Sequence, residues 1–177
     1  MLETLLGDDV DDSGKYLAEV IYGANDGIVT TFAVVAGVAG AALSPSIVLV
    51  LGMANLLADG FSMGMSNFLS RRSEADYEAA RGNDVDHDGK SPGRTAFVTF
   101  LAFVVAGALP LVPYVFVLTP LFPTSILFTG IAFFVVGASR SFVTARHWFV
   151  NGGEMFLVGM LAATVAFVVG TLLKGVA

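Results

Sequence analysis

The sequence predicts an all-α fold: a polytopic membrane protein with five transmembrane helices. Three observations carry that expectation. Of the 177 residues, 55% are hydrophobic and 14% charged, and the mean hydropathy is +0.78, too apolar for a water-soluble domain. Apolar stretches near the ~20 residues that span a bilayer as a helix recur at about 16–42, 46–70, 95–117, 123–139 and 152–173. The ionisable residues fall mostly in the tail, the loops and the ends of these stretches.

Residues 1–15 form an acidic tail. Glu3, Asp8, Asp9, Asp11 and Asp12 precede the first basic residue, Lys15. A secretory signal begins with a positive segment, so no cleaved leader is expected, and a prokaryotic plasma membrane is the simplest location. The formal net charge of -6 argues against a nucleic-acid partner and favours attraction of cations. The absence of cysteine excludes disulfides, thiolate metal sites and thiol catalysis. Any metal must be met by carboxylate, amide, hydroxyl, thioether or imidazole.

The first span is interrupted by Asn25-Asp26-Gly27, with Thr30 and Thr31 one turn on. Ser44-Pro45-Ser46 then reads as an N-cap, a proline at the first helical position and a restart. That makes the first two helices antiparallel neighbours. The second helix should run on out of the bilayer, because Arg71 to Arg81 is rich in helix formers and ends at Gly82-Asn83. A polar loop leads to the third span, which Pro110 and Pro113 should kink. The fourth runs from about Pro123 to Ser139. Asn151-Gly-Gly-Glu154 has the spacing of a capping box and is expected to open the fifth.

Five spans place the termini on opposite sides. Lys15, Arg71, Arg72, Arg81, Lys90, Arg94, Arg140 and Arg146 then share one side, with Lys174 alone on the other. By the positive-inside rule the N-terminus and the 71–94 segment are cytoplasmic. Tyr114 and Trp148 should sit near opposite interfaces as belt aromatics. Gly23 and Gly27 in the first span, and Gly60 and Gly64 in the second, have GxxxG spacing, which points to a close interface between those two helices, within one subunit or across a dimer, that would bring Asp26 and Asp59 together.

The chemistry is concentrated in the second span. At i, i+4 spacing, Asn55, Asp59, Met63 and Asn67 form one stripe, offering hard oxygen and soft thioether ligands. A charge at mid-membrane depth costs about 2.5 to 3.5 kcal/mol on insertion scales, so Asp59 and Asp26 are functional candidates. Asn25 and Thr30 extend the polar stripe around Asp26. The alternative is two protonated aspartates acting as interhelical glue and a methionine that fills space. In the loop, Asp84-Val-Asp86-His-Asp88-Gly89 matches the start of an EF-hand, but position twelve is Thr95 instead of a bidentate glutamate, and Pro92 lies within the loop. Asp84, Asp86 and Asp88 thus read as a solvated linker that concentrates cations. His147 reads as an interfacial residue. No nucleotide loop or catalytic constellation is visible, and an enzyme is not expected.

Tyr22-Gly-Ala-Asn-Asp26-Gly-Ile-Val-Thr-Thr-Phe-Ala33 and Ala54-Asn-Leu-Leu-Ala-Asp59-Gly-Phe-Ser-Met63-Gly64 closely resemble the first two transmembrane helices of the vacuolar iron transporter family. Pro92 to Tyr114 resembles its third, and Gly153-Glu-Met-x3-Gly159-x2-Ala-Ala163-x2-Ala-x3-Gly170 its fifth. The resemblance implies a homodimer with a pore between the subunits, lined by the first two helices, exporting Fe2+ (sometimes Mn2+) from the cytosol in exchange for protons, with no permanently bound cofactor. It implies that Asp26 is the first-helix pore carboxylate and Met63 the second-helix thioether. Many members carry glutamate where this chain has Asn55; here the carboxylate comes one turn later, at Asp59, on the same stripe and about 6 Å along the helix. Asn67 occupies a place where some relatives are acidic. Well-studied members also insert a glutamate-rich metal-binding domain between the second and third spans. This chain has only Arg71 to Arg94, where Glu74, Asp76 and Glu78 are a candidate remnant. A non-transporting membrane scaffold or metal sensor with protonated aspartates is the alternative function.

Overall fold

The computed structural model describes residues 15–82, 90–142, 144 and 146–175. The expected tail to residue 14, and the EF-hand-like stretch with Asp84, Asp86, His87 and Asp88, lie outside the described residues. Five long helices form the bundle: α1 (Leu17–Gly40), α2 (Pro45–Ala80), α3 (Pro92–Gly107), α4 (Leu121–Ser139) and α5 (Trp148–Leu173). Each, with its short continuation where one exists, is long and apolar enough to cross a membrane.

The turn between α1 and α2 is tight because the end of α1 is closed by a Schellman pattern. The Leu43 N–H donates to the Val38 carbonyl and the Ala42 N–H to the Ala39 carbonyl. That geometry needs a left-handed residue, and Ala42 supplies it at φ 57°. Pro45 opens α2, while the Ser44 hydroxyl bonds to Ser46 and leaves the helix N-terminus uncapped. α2 continues past the apolar stretch to Ala80 and stops where Gly82 takes φ 74°.

Pro110 and Pro113 break the third span as their missing N–H groups demand. α3 gives way to a 3-10 turn, Leu109–Leu111, and a short helical turn, Val112–Val115. The fully buried Ser125 of α4 donates to the Pro110 carbonyl at 2.7 Å, meeting a backbone acceptor at the break.

α1 is the central helix and packs against all four others, most extensively against α3 and α5. The contact is close because glycines line it. A Cβ on Gly27 would collide with the Phe103 carbonyl, and one on Gly107 with the Gly27 carbonyl. The glycine faces therefore do not pair α1 with α2 as expected. Gly23 and Gly27 rest on Thr99 and Phe103 of α3, and Gly60 and Gly64 rest on Phe100, Phe103 and Ala96 of the same helix. α3 is the common partner, wedged against both.

Two local expectations are also corrected. α5 starts at Trp148, not at a capping box: the His147 ring Nδ1 accepts from the Phe149 N–H as the cap. Asn151 is then inside the helix, fully buried, and its amide donates to Thr144. Tyr114 is 7% exposed and belongs to the core, so it is no lipid-facing anchor, whereas Trp148 is half exposed.

Candidate functional site

α2 packs through a strict i, i+4 ridge of Val48, Gly52, Leu56, Gly60 and Gly64, all buried. Asn55, Asp59 and Met63 each precede a member of that ridge by one residue, and Asn67 lies one turn beyond Met63. Their stripe is therefore turned about 100° away from the α3 contact. Asn55, Met63 and Asn67 are half-buried, and Asp59 is exposed.

Asp26 is half-buried on α1. The Asp59 carboxylate stands near enough to act on it electrostatically. Helix geometry explains the match in depth. Asp26 is about 14 Å along α1 from Leu17, and Asp59 is about 17 Å back from Ser70, where the apolar part of the antiparallel α2 ends. The pair thus meets at one level without direct contact between the glycine faces, because α3 sets the position of both helices.

The other candidates separate. Thr30 donates its hydroxyl to the Asp26 carbonyl at 2.8 Å, which leaves its oxygen lone pairs but not its proton for a ligand. The Asn67 amide donates to Thr99 Oγ1 at 2.7 Å, and Thr99 donates to the Thr95 carbonyl, so Asn67 ties α2 to α3. Met63 packs against the core cluster. Asn25 lines a cavity between α1 and α5. Glu74 and Glu78 lie on the polar continuation of α2, where Glu74 is 3.9 Å from Arg71. Among the described residues, no group of three or more histidine, aspartate or glutamate side chains converges on a metal position.

Two clusters were not anticipated from the sequence. Glu19, only 8% exposed, receives Lys90 Nζ at 3.0 Å and lies 3.6 Å from Arg71, joining α1, α2 and the start of α3. Its position seven residues before Asp26 puts it on the same face of α1, and that spacing was the available signal. The second joins Arg140 and Arg146 to Glu154.

The fold defines an integral membrane protein of five long apolar helices, two of which carry an aspartate within their apolar stretch. The family model described as the VIT family matches residues 17–88 and 80–171, and the chain belongs to that family. It is 26% identical over 212 residues to a Eucalyptus grandis protein named vacuolar iron transporter 1, covering 88% of this chain and 85% of that one. An Arabidopsis thaliana protein of the same name is 24% identical over 212 residues, covering 88% and 85%. A Toxoplasma gondii vacuolar iron transporter is 50% identical over 68 residues, 38% of this chain and 22% of that one. The 212-position alignments are longer than this whole chain, and the two family-model matches meet at 80–88.

Proposed function

We propose that this chain is a transporter that moves Fe2+, with Mn2+ as a second cargo, out of the cytosol in exchange for protons, acting as a homodimer in a prokaryotic plasma membrane. The observation that supports the proposal is that Asp26 lies within electrostatic reach of Asp59 at a similar level of the bundle, with Asp59 on a face that a single chain leaves uncovered. A carboxylate presented to lipid is costly, so that face requires a cover. One chain supplies two carboxylates and a thioether; a second copy across a twofold axis would double the set and enclose it. Asn55, Thr30 and Asn67 border the pathway, with Asn67 fixing its wall, and Asn25 lies outside it. The eight basic residues at the end of the bundle that carries Glu19 and Glu154 support a cytoplasmic N-terminus. A dication binds the carboxylate form, so metal and proton compete for the same oxygens, and arrival of metal releases protons.

The test is metal flux in proteoliposomes with an imposed pH gradient, acidic on the C-terminal side. Wild type should carry Fe2+ toward the acidic side faster as the gradient grows. Asp26→Asn and Asp59→Asn should each lower flux by about ten- to a hundredfold, as expected for losing a charged contact of about 1.5 to 3 kcal/mol. Residual flux in Asp59→Asn should respond less to the gradient. A folded wild-type protein that carries no metal would leave the scaffold or sensor reading, and a full gradient response in Asp59→Asn would remove this residue from coupling.

A further inference from the structure

Between α1, the turn after α4 and the first half of α5 lies a partly open cavity of about 430 Å³. Its walls combine two chemistries. Ile21 and Val158 give it an apolar side, and Tyr22, Asn25, Arg140 and Glu154 give it a polar one. On the wall itself Arg140 and Glu154 balance, and a further positive charge, Arg146, stands beside it. The Glu154 carboxylate is 3.6 Å from Arg140 and 3.3 Å from Arg146, so two guanidiniums share one carboxylate and one positive charge remains. Arg140 sits on an anchored turn: Thr144 donates to the Arg140 carbonyl at 2.9 Å and accepts from the fully buried Asn151 at 2.9 Å.

The level of the cavity is set by its neighbours. Trp148, half exposed and edge-on to Phe134, marks the depth at which an amphipathic ring meets the headgroup region. An apolar wall running into the bilayer below a surplus guanidinium charge is complementary to an amphiphile with a phosphate head. A soluble anion would gain nothing from Ile21 and Val158. A metal cation would be repelled by the two arginines.

We infer that this cavity binds the phosphate headgroup and the adjoining acyl segment of an anionic phospholipid, with Arg140 on the wall meeting the phosphate and Arg146, beside the wall on the same Glu154 carboxylate, supplying the surplus positive charge. The site is independent of the metal pathway, although Asn25 and Asp26 share one turn of α1.

The experiment is thermal unfolding of the purified full-length chain in detergent, titrated with phosphatidylglycerol, with phosphatidylcholine of the same acyl chains, or with glycerol 3-phosphate. Phosphatidylglycerol should raise Tm by several degrees and the other two should not. The shift should vanish in the double variant Arg140→Gln/Arg146→Gln. It should saturate at several-fold lower lipid in Glu154→Gln, which frees both guanidiniums. Val158→Trp, which fills the apolar wall and keeps every charge, should also lose the shift and serves if the double variant does not fold. An equal shift with phosphatidylcholine, or one that survives both the double variant and Val158→Trp, overturns the site. An equal shift with glycerol 3-phosphate overturns the lipid assignment in favour of a soluble anion.

Discussion

Met63 illustrates how a single side chain divides between packing and chemistry. Its thioether lies on the Asp59 stripe, yet the side chain also packs against the core. Leucine would preserve that packing at a cost below about 1.5 kcal/mol while removing the soft ligand. Met63→Leu is therefore expected to leave stability nearly unchanged and to lower the ratio of Fe2+ to Mn2+ transport several-fold in a competition assay; an unchanged ratio would assign the sulfur to packing alone. Glu19 makes the opposite case, a residue whose weight is structural on the page. Glu19→Gln leaves Lys90 and Arg71 facing a neutral amide in a largely buried place. We expect a loss of about 2 to 3 kcal/mol, partly recovered by adding Lys90→Gln, and an unaltered Tm in the single variant would show the cluster to be idle. The two aspartates were legible in the sequence because a charge inside an apolar span is conspicuous. Glu19 was not, since an acidic residue in the first turn of a helix reads as an ordinary dipole partner. Its own partners lie 52 and 71 residues away.

At the scale of the element, composition and periodicity disclosed the helices but not their partners. GxxxG spacing correctly marked faces of close approach, yet nothing in α1 or α2 says that both faces meet α3. That choice depends on Phe100, Phe103 and Gly107, whose shapes complement the glycines only after the third helix has folded back. The start of α5 shifted for a related reason. Trp148, Phe149 and Val150 are apolar enough to extend the helix into the interface, so the cap moved back to His147. The end of α1 offers a direct test of local energetics. Ala42 holds a left-handed conformation that costs an alanine about 1 kcal/mol and a glycine almost nothing. Ala42→Gly should raise stability by about that amount, measured as a higher Tm in detergent; a lower Tm would mean that the extra freedom glycine brings to the unfolded chain outweighs the relief.

For the whole molecule, the decisive question is what covers the exposed face of α2. The cysteine-free background makes this accessible, because a single introduced thiol can pair only with its copy. Ser62→Cys, on the Asp59 side of α2, should form a disulfide-linked dimer rapidly under mild oxidation. Leu127→Cys, also exposed on α4, should not. Equal cross-linking of the two, or none of Ser62→Cys, would place α2 at the periphery and remove the shared pathway. The five-helix architecture was legible because each span carries its own hydropathy signal; the covering of α2 was not, because one chain's sequence is silent about its copies. The continuation of α2 to Ala80 has a last consequence. It carries the chain about 15 Å beyond Ser70 on a rigid rod, and the return to α3 is stapled where Glu19 holds both Arg71 and Lys90. The two ends of the loop are thus clamped independently of what lies between them. Such a clamp turns the interval into a socket: chain can be added or deleted there over evolutionary time while the helix bundle keeps its geometry, which makes the bundle a self-sufficient module and an attachment at this loop an interchangeable one.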